Sequence, residues 1–411
     1  MRMAVDGLIR RLDAINRIGY KENDGITRLA LSEEDERARN IVIHMCEELG
    51  LKIRKDAVGN IWARKEGTDP NLPSVMMGSH IDTVPNGGRY DGTLGVMAAI
   101  EVMDWIHKKK ILHRHPIELI VFVAEESSRF NIATVGSKAL AGSLSISTLK
   151  NCRDADGISL YDALLQRGYE PEKLETAILP PEKAKAFVEL HIEQGSVLEK
   201  EKIDIGIVEA IAAPIRLQIQ LIGQEAHSGS CPMEDRRDAL NAAAEIILSV
   251  EKNGRAESKH KTVATTGNCK VFPGAMNVIP GEVYLYIDIR GIDLQSMLRV
   301  LNAVIAQTKE ICEKRDIQYA IEVLSRERPV SLDRDLMEQV KQNCRKLGLT
   351  YKEMPSGAGH DTMNIAKIIP AALIFIPCVG GISHNKREEV RLKDLKNGLS
   401  ILFETIISLA K

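Results

Sequence analysis

No stretch of this chain is apolar over the roughly 20 residues needed to cross a bilayer, and no membrane span is expected. The first residues, MRMAVDGLIRRLDAINRIG, lack the apolar core of a secretory leader and read as an amphipathic helix. Cysteine is scarce and odd in number, seven with no CxxC pair, which fits a reducing cytoplasm better than a disulfide scaffold. An excess of one charge sign is lacking too: 55 Lys and Arg stand against 57 Asp and Glu, a net charge of -2. That balance gives no global field for nucleic acid or an anionic membrane, so neither is expected as a partner. Repeats and low-complexity segments are missing as well. What is present is 411 residues, 44% of them hydrophobic, too many for one ordinary compact core and enough to fill two.

Short apolar runs bounded by turn residues punctuate the chain, and each leads into a residue able to hold a metal. Residues 74–78 (SVMMG) lead into His80, 117–124 (IELIVFVA) into Glu125 and Glu126, and 185–190 (KAFVEL) into His191. Residues 371–376 (AALIFI) precede the loop with His384. Such runs suit strands buried on both faces. Asp91 lies in SHIDTVPNGGRYDGTLG, whose glycines and proline forbid regular structure, ahead of a helical pattern over 94–110. Residues at the ends of neighbouring strands converge on one edge of an α/β sheet. A single histidine after a strand is more often a hydrogen-bonded core or surface residue than a ligand; a set of this size reads as a metal site.

Imidazoles and carboxylates suit zinc, manganese, cobalt or nickel, and a carboxylate can bridge two ions about 3.5 Å apart. The set therefore fits two divalent metal ions. Asp91 bridges, His80 and His191 complete one site, and Glu126 and His384 the other. Glu125 is then left unligated as the general base for a water acidified by the ions.

The pattern changes after residue 211. Up to there strands alternate with helices, as in a mainly parallel sheet. From 212 to 327 the order is strand (215–222), helix (236–253), strand (261–272), strand (282–290), helix (293–314), strand (317–325). This is the β-α-β-β-α-β order of a ferredoxin-like domain, here inserted into an α/β domain made of 1–211 and 328–411. The insertion holds His227 in GQEAHSGSCPM, Asn277 in PGAMNVIPG, and Arg290 at the end of YLYIDIR. An arginine there can grip a carboxylate through two parallel hydrogen bonds, and His227 and Asn277 can donate to a developing oxyanion. The plain alternatives are a surface ion pair, a satisfied histidine and a turn residue.

Taken in order, GSHIDTVPNGGRYDGTLGV, AEESSRF, ELHIEQG, NVIPGEV with DIR, SGAGHDTMN and GISHNKRE resemble the hydantoinase/carbamoylase branch of the M20 family of metal-dependent amidohydrolases. So does the N-terminal ITRLALSEEDERAR, and the resemblance spans essentially the whole chain. It implies the same ligands, with Glu125 as base, and places His227, Asn277 and Arg290 in contact with substrate. By matching position it adds Gln194, Gly359, His360 and Asp361 as residues on the substrate side or behind the ligands. It also implies that the inserted domain is a lid that forms a homodimer, with residues like His227 reaching the neighbouring site. Asp82, two residues past His80, is the candidate for orienting that ring. Cys231 and Cys378 lie near site loops and read as inert thiols.

The implied reaction is hydrolysis of the ureido C–N bond of an N-carbamoyl-L-amino acid, a small molecule with a carboxylate and a ureido group. Allantoate or ureidoglycolate offers the same two groups. An aminoacylase or peptidase is a further alternative, as is a binding protein that keeps the fold without catalysis. Three motifs depart from the commoner forms of the branch: Ser127 replaces a glycine, Ser228, Ser230 and Cys231 alter the run after His227, and Lys386 replaces a proline. The altered run changes the wall beside His227 and leaves ligands and base in place.

Overall fold

The computed structural model describes residues 3–411. The chain divides into two compact units, one of residues up to Glu209 with Leu332–Lys411, the other Ala210–Ser331.

At the centre of the first unit's sheet four strands lie side by side in the order Ala371–Ile376, Ala184–Ile192, Ser74–His80, Ile117–Phe122, all parallel to their neighbours. Three of them are buried along their whole length, as continuous apolar runs require. Successive side chains point to opposite faces. Val75, Met77, Leu119 and Val121 join one core with the helices Asp6–Asn16, Thr93–Lys108 and Leu392–Ala410. Met76, Ile120 and Phe122 join another with Trp62, Leu140 and Ile365. Gly78 lets two strands approach closely, since a Cβ there would lie 1.9 Å from the Ile120 carbonyl oxygen.

The sheet is mixed rather than mainly parallel, which corrects the sequence reading. Lys52–Lys55, Ile61–Lys65 and Ile205–Ile211 add to the parallel block in antiparallel pairs. Only residues 56–60 separate the first two of these strands, too few for a crossover, so they form a hairpin. The Asp56 carboxylate holds that turn, accepting from the Asn60 and Val58 backbone at 2.9 and 3.2 Å.

In the second unit a four-stranded antiparallel sheet runs in the order Val263–Phe272, Glu282–Gly291, Ala213–Ile222, Gln318–Arg326. Helices Ala239–Ala256 and Leu294–Arg315 cover one face through Ile215, Leu217, Leu285, Ile287 and their neighbours. Alternation along the two central strands leaves Arg216, Asp288 and Arg290 on the other face. Among the described residues no helix is long and apolar enough to cross a membrane.

Candidate metal centre

Because the four central strands are parallel, their C-terminal ends share one edge, and the loops beyond them carry the candidate ligands. His80 closes its strand and His191 is the next-to-last residue of its own. Glu125 and Glu126 follow Ala124, whose φ is 50°, and His384 itself has φ 52°. Left-handed backbone at non-glycine residues costs on the order of 1–3 kcal/mol and persists only where its surroundings enforce it. Gly92, beside Asp91, has φ +60°, and a Cβ there would fall 2.3 Å from His80 Cε1, so the loop can pass the imidazole only at a glycine.

Two groups of potential ligands form, His80 with Asp91 and His191, and Asp91 with Glu126 and His384. In each, one donor atom per residue lies within 4.8 Å of the others. Asp91 Oδ1 is 3.1 Å from His191 Nε2 and 3.7 Å from His80 Nε2, while its Oδ2 is 3.1 Å from His384 Nε2. Glu126 Oε1 is 3.3 Å from the same nitrogen of His384. The two oxygens of Asp91 thus face different groups, the arrangement a bridging carboxylate needs. His80 Nδ1 lies 3.0 Å from the Asp82 carbonyl oxygen and His191 Nδ1 2.9 Å from that of Ile192. A carbonyl only accepts, so each Nδ1 carries the proton and Nε2 is left to face Asp91.

The electrostatics call for positive charge. Burial pushes the Glu125 carboxyl well above the usual carboxylate range, and Glu126, Asp361, Asp82 and Asp91 push it further. Burial also works against ionisation of Asp91, but hydrogen bonds to His191 and His384 override it and hold that carboxyl well below its ordinary value. Hydrogen bonds to Asp91 and Glu126 raise His384 to about 10. Burial opposes the charging of His191, yet Asp91 raises it to about 9. Protonated imidazoles here stand where cations would neutralise the carboxylates. Gln194 Oε1 is buried without a hydrogen-bond partner, while its Nε2 donates to Asp91 Oδ2 at 2.7 Å. Borderline-to-hard donors, crowded carboxylates and this orphaned oxygen together fit divalent zinc, manganese, cobalt or nickel.

Glu125 belongs to neither group, although its Oε2 is 3.8 Å from His80 Nε2. The Asp82 carboxylate fixes its position: Oδ1 accepts from Glu125 N at 3.2 Å and Oδ2 from Glu126 N at 3.0 Å. His80 is oriented by the Asp82 carbonyl, while the carboxylate expected in that role is 3.7 Å from Nδ1 and holds the Glu125–Glu126 turn. His360 is buried behind the site, edge-on to His191 with ring centroids 4.6 Å apart and Nε2 3.0 Å from Ser356 Oγ. Burial and the charge on His191 lower its pKa well below the ordinary value, so it stays neutral. Gly359 is exposed beside it, and buried Asp361 accepts from Ser137 Oγ at 2.5 Å.

Two residues escaped the sequence reading. Ser383 Oγ lies 3.0 Å from Asp91 Oδ2, and Glu388 Oε1 accepts from the backbone of Tyr90 and Asp91 at 2.7 and 3.1 Å. Ser383 stands directly before His384 in GISHNKRE, a polar neighbour of a candidate ligand, whereas Glu388 lies four residues beyond it and carried no such signal.

In the second unit His227 and Asn277 come together. Ala226–His227 pairs with Val278–Ile279, and Ser228 N donates to the Asn277 carbonyl at 3.0 Å. Both side chains are exposed. Arg290 donates through Nε to Asp288 Oδ1 at 2.8 Å, and Arg216 to the other oxygen of Asp288 at 3.0 Å. Of the two thiols near site loops, Cys378 is buried and raised by that burial to about 11, while Cys231 is half-buried.

The family model described as Peptidase family M20/M25/M40 matches residues 76–408. The chain belongs to this family. An N-carbamoyl-L-amino acid amidohydrolase of Geobacillus stearothermophilus is 38% identical over 404 residues, 98% of each chain. An allantoate amidohydrolase of Escherichia coli (strain K12) is 36% identical over 96% of each chain. Among solved structures, a hydantoinase/carbamoylase family amidase from Burkholderia multivorans superposes with TM-score 0.92 at 32% identity, covering 100% of this chain and 98% of that one. With such neighbours, this M20 chain lies among the amidohydrolases of its family.

Proposed function

We propose that this M20 enzyme hydrolyses the ureido C–N bond of an N-carbamoyl-L-amino acid, releasing the amino acid, ammonia and carbon dioxide. The observation that carries the reading is a buried carboxylate, Glu125, left outside two cation-fitting groups that share Asp91. Two divalent cations held by His80, Asp91 and His191 and by Asp91, Glu126 and His384 supply, when bound, acidification of a water and polarisation of the ureido carbonyl. Glu125 takes the proton of the attacking water and passes it to the departing nitrogen, acting as general base and then as general acid. Asp82 holds Glu125 and Glu126 in register for this.

His227 and Asn277 donate to the oxygen that becomes negative, and Arg290 grips the α-carboxylate. Gln194, Gly359 and His360 line or back the substrate side. The second unit serves as lid and dimerisation domain of a C2 homodimer. The Escherichia coli relative named for allantoate supports a second substrate, which offers the same two groups.

Ammonia release by the purified protein, supplied with manganese, tests the reading on N-carbamoyl-L-amino acids, their D forms, allantoate, ureidoglycolate and N-carbamoyl-β-alanine. Turnover of an N-carbamoyl-L-amino acid is expected. Preference for allantoate or ureidoglycolate moves the substrate, and silence across the panel with metal bound overturns the reaction.

A further inference from the structure

The ITRLALSEEDERAR segment has no part in the reaction above, yet one of its three arginines, Arg28, is among the most deeply buried charges in the first unit. Arg28 is 0% exposed. Its Nε donates to the Ile81 carbonyl at 2.7 Å, Nη1 to the carbonyls of Ile18 and Ile15 at 2.9 and 3.3 Å, and Nη2 to Thr93 Oγ1 at 3.2 Å. Its backbone pairs with Thr83 in both directions, Thr83 N to the Arg28 carbonyl and Arg28 N to Thr83 Oγ1, each at 2.9 Å. All of these acceptors are neutral; Asp35 and Asp82 support the charge from a distance.

A guanidinium hydrogen-bonded only to neutral groups is a costly way to fill a core, and an apolar side chain of similar volume would serve packing alone. The positions of its acceptors give it another role. Ile81 lies between His80 and Asp82, and Thr93 is two residues beyond Asp91. One rigid planar fork therefore spans the two segments that carry His80 and the shared carboxylate. The rest of the segment anchors the arginine. Ser32 caps the helix Glu33–Glu48 by accepting from Asp35 N, and Asp35 Oδ2 accepts from Leu31 N at 2.9 Å.

We propose that Arg28 is a positioning residue that sets the separation of His80 from Asp91 and so preorganises the first cation group. This rests on the two-cation reading above. The test is chelator competition with zinc alone and with manganese alone on the full chain, comparing wild type, Arg28→Lys and Thr93→Val, with melting of the metal-free forms alongside. Outer partners of metal ligands are typically worth about tenfold to a hundredfold in affinity, and a loss of that size is expected for Arg28→Lys. Thr93→Val, which removes one acceptor from an otherwise intact fork, is expected to lose less in the same direction. Unchanged affinity in variants whose metal-free forms melt lower makes Arg28 a packing residue and overturns the proposal. Should Arg28→Lys fail to fold, Thr93→Val decides, and wild-type affinity in it overturns the proposal. A wild type that takes up two cations while its variants are unaltered overturns only the role of Arg28. A wild type that takes up none overturns the hydrolase reading and this inference with it.

Discussion

Asp82 carries two functional groups on one carboxylate. Its oxygens receive the N–H groups of Glu125 and Glu126, so the proposed base and a candidate ligand turn together about one anchor. An asparagine there keeps one acceptor but turns an NH2 toward the second N–H, placing donor against donor. Asp82→Asn is therefore expected to lower kcat by about tenfold to a hundredfold, the usual cost of losing an outer partner at a metal centre. KM should change little, because Asp82 lies behind the site. Steady-state kinetics at saturating metal checks this, and a wild-type kcat would contradict it. Gly92 makes the complementary point, since its value lies in the missing Cβ that leaves room for His80.

Strands with continuous apolar runs were the most legible elements. The reading of 371–376 matches to the residue, and the others deviate at their ends by no more than two positions, as with Ala184–Ile192 against 185–190. Their shared direction, and so the meeting of His80, Glu126, His191 and His384, followed from connections long enough for crossovers. The antiparallel edges were not legible, because the direction of Ile61–Lys65 is set by the five-residue turn at 56–60 rather than by its apolar content. Ser383 and Glu388 were missed for a different reason. Glu388 accepts from Tyr90 and Asp91, nearly 300 positions earlier, and nothing local to GISHNKRE marks a carboxylate that holds another loop. The pairing of His227 with Asn277 rests on a two-residue ladder too short to give a periodic signal.

At the scale of the whole molecule, the proposed two-cation site would make cations and protons compete for one cluster of carboxylates. In the metal-free form His191 and His384 titrate near 9 and 10, above the ordinary 6.5. A raised folded-state pKa contributes stability that is complete below the unfolded value and is lost as pH rises through the folded one. The metal-free protein should therefore lose stability between pH 6.5 and about 10, whereas in the loaded protein these imidazoles are neutral at every pH where metal stays bound. Melting temperatures of both forms across that range should show the gain from metal growing with pH. A constant gain would mean that these histidines do not exchange protons for cations.

The proposed reaction requires that Glu125 do chemistry while five other residues hold metal. The most direct measurement is turnover and metal content of wild type and Glu125→Gln side by side, on whichever ureido acid the wild type hydrolyses. Two cations per chain are expected in both proteins, with loss of turnover in the variant alone, of at least the roughly 10²–10⁴-fold typical of a general base. A variant that loses its cations along with its activity would make Glu125 a ligand, and one that keeps both would leave the reaction without its base.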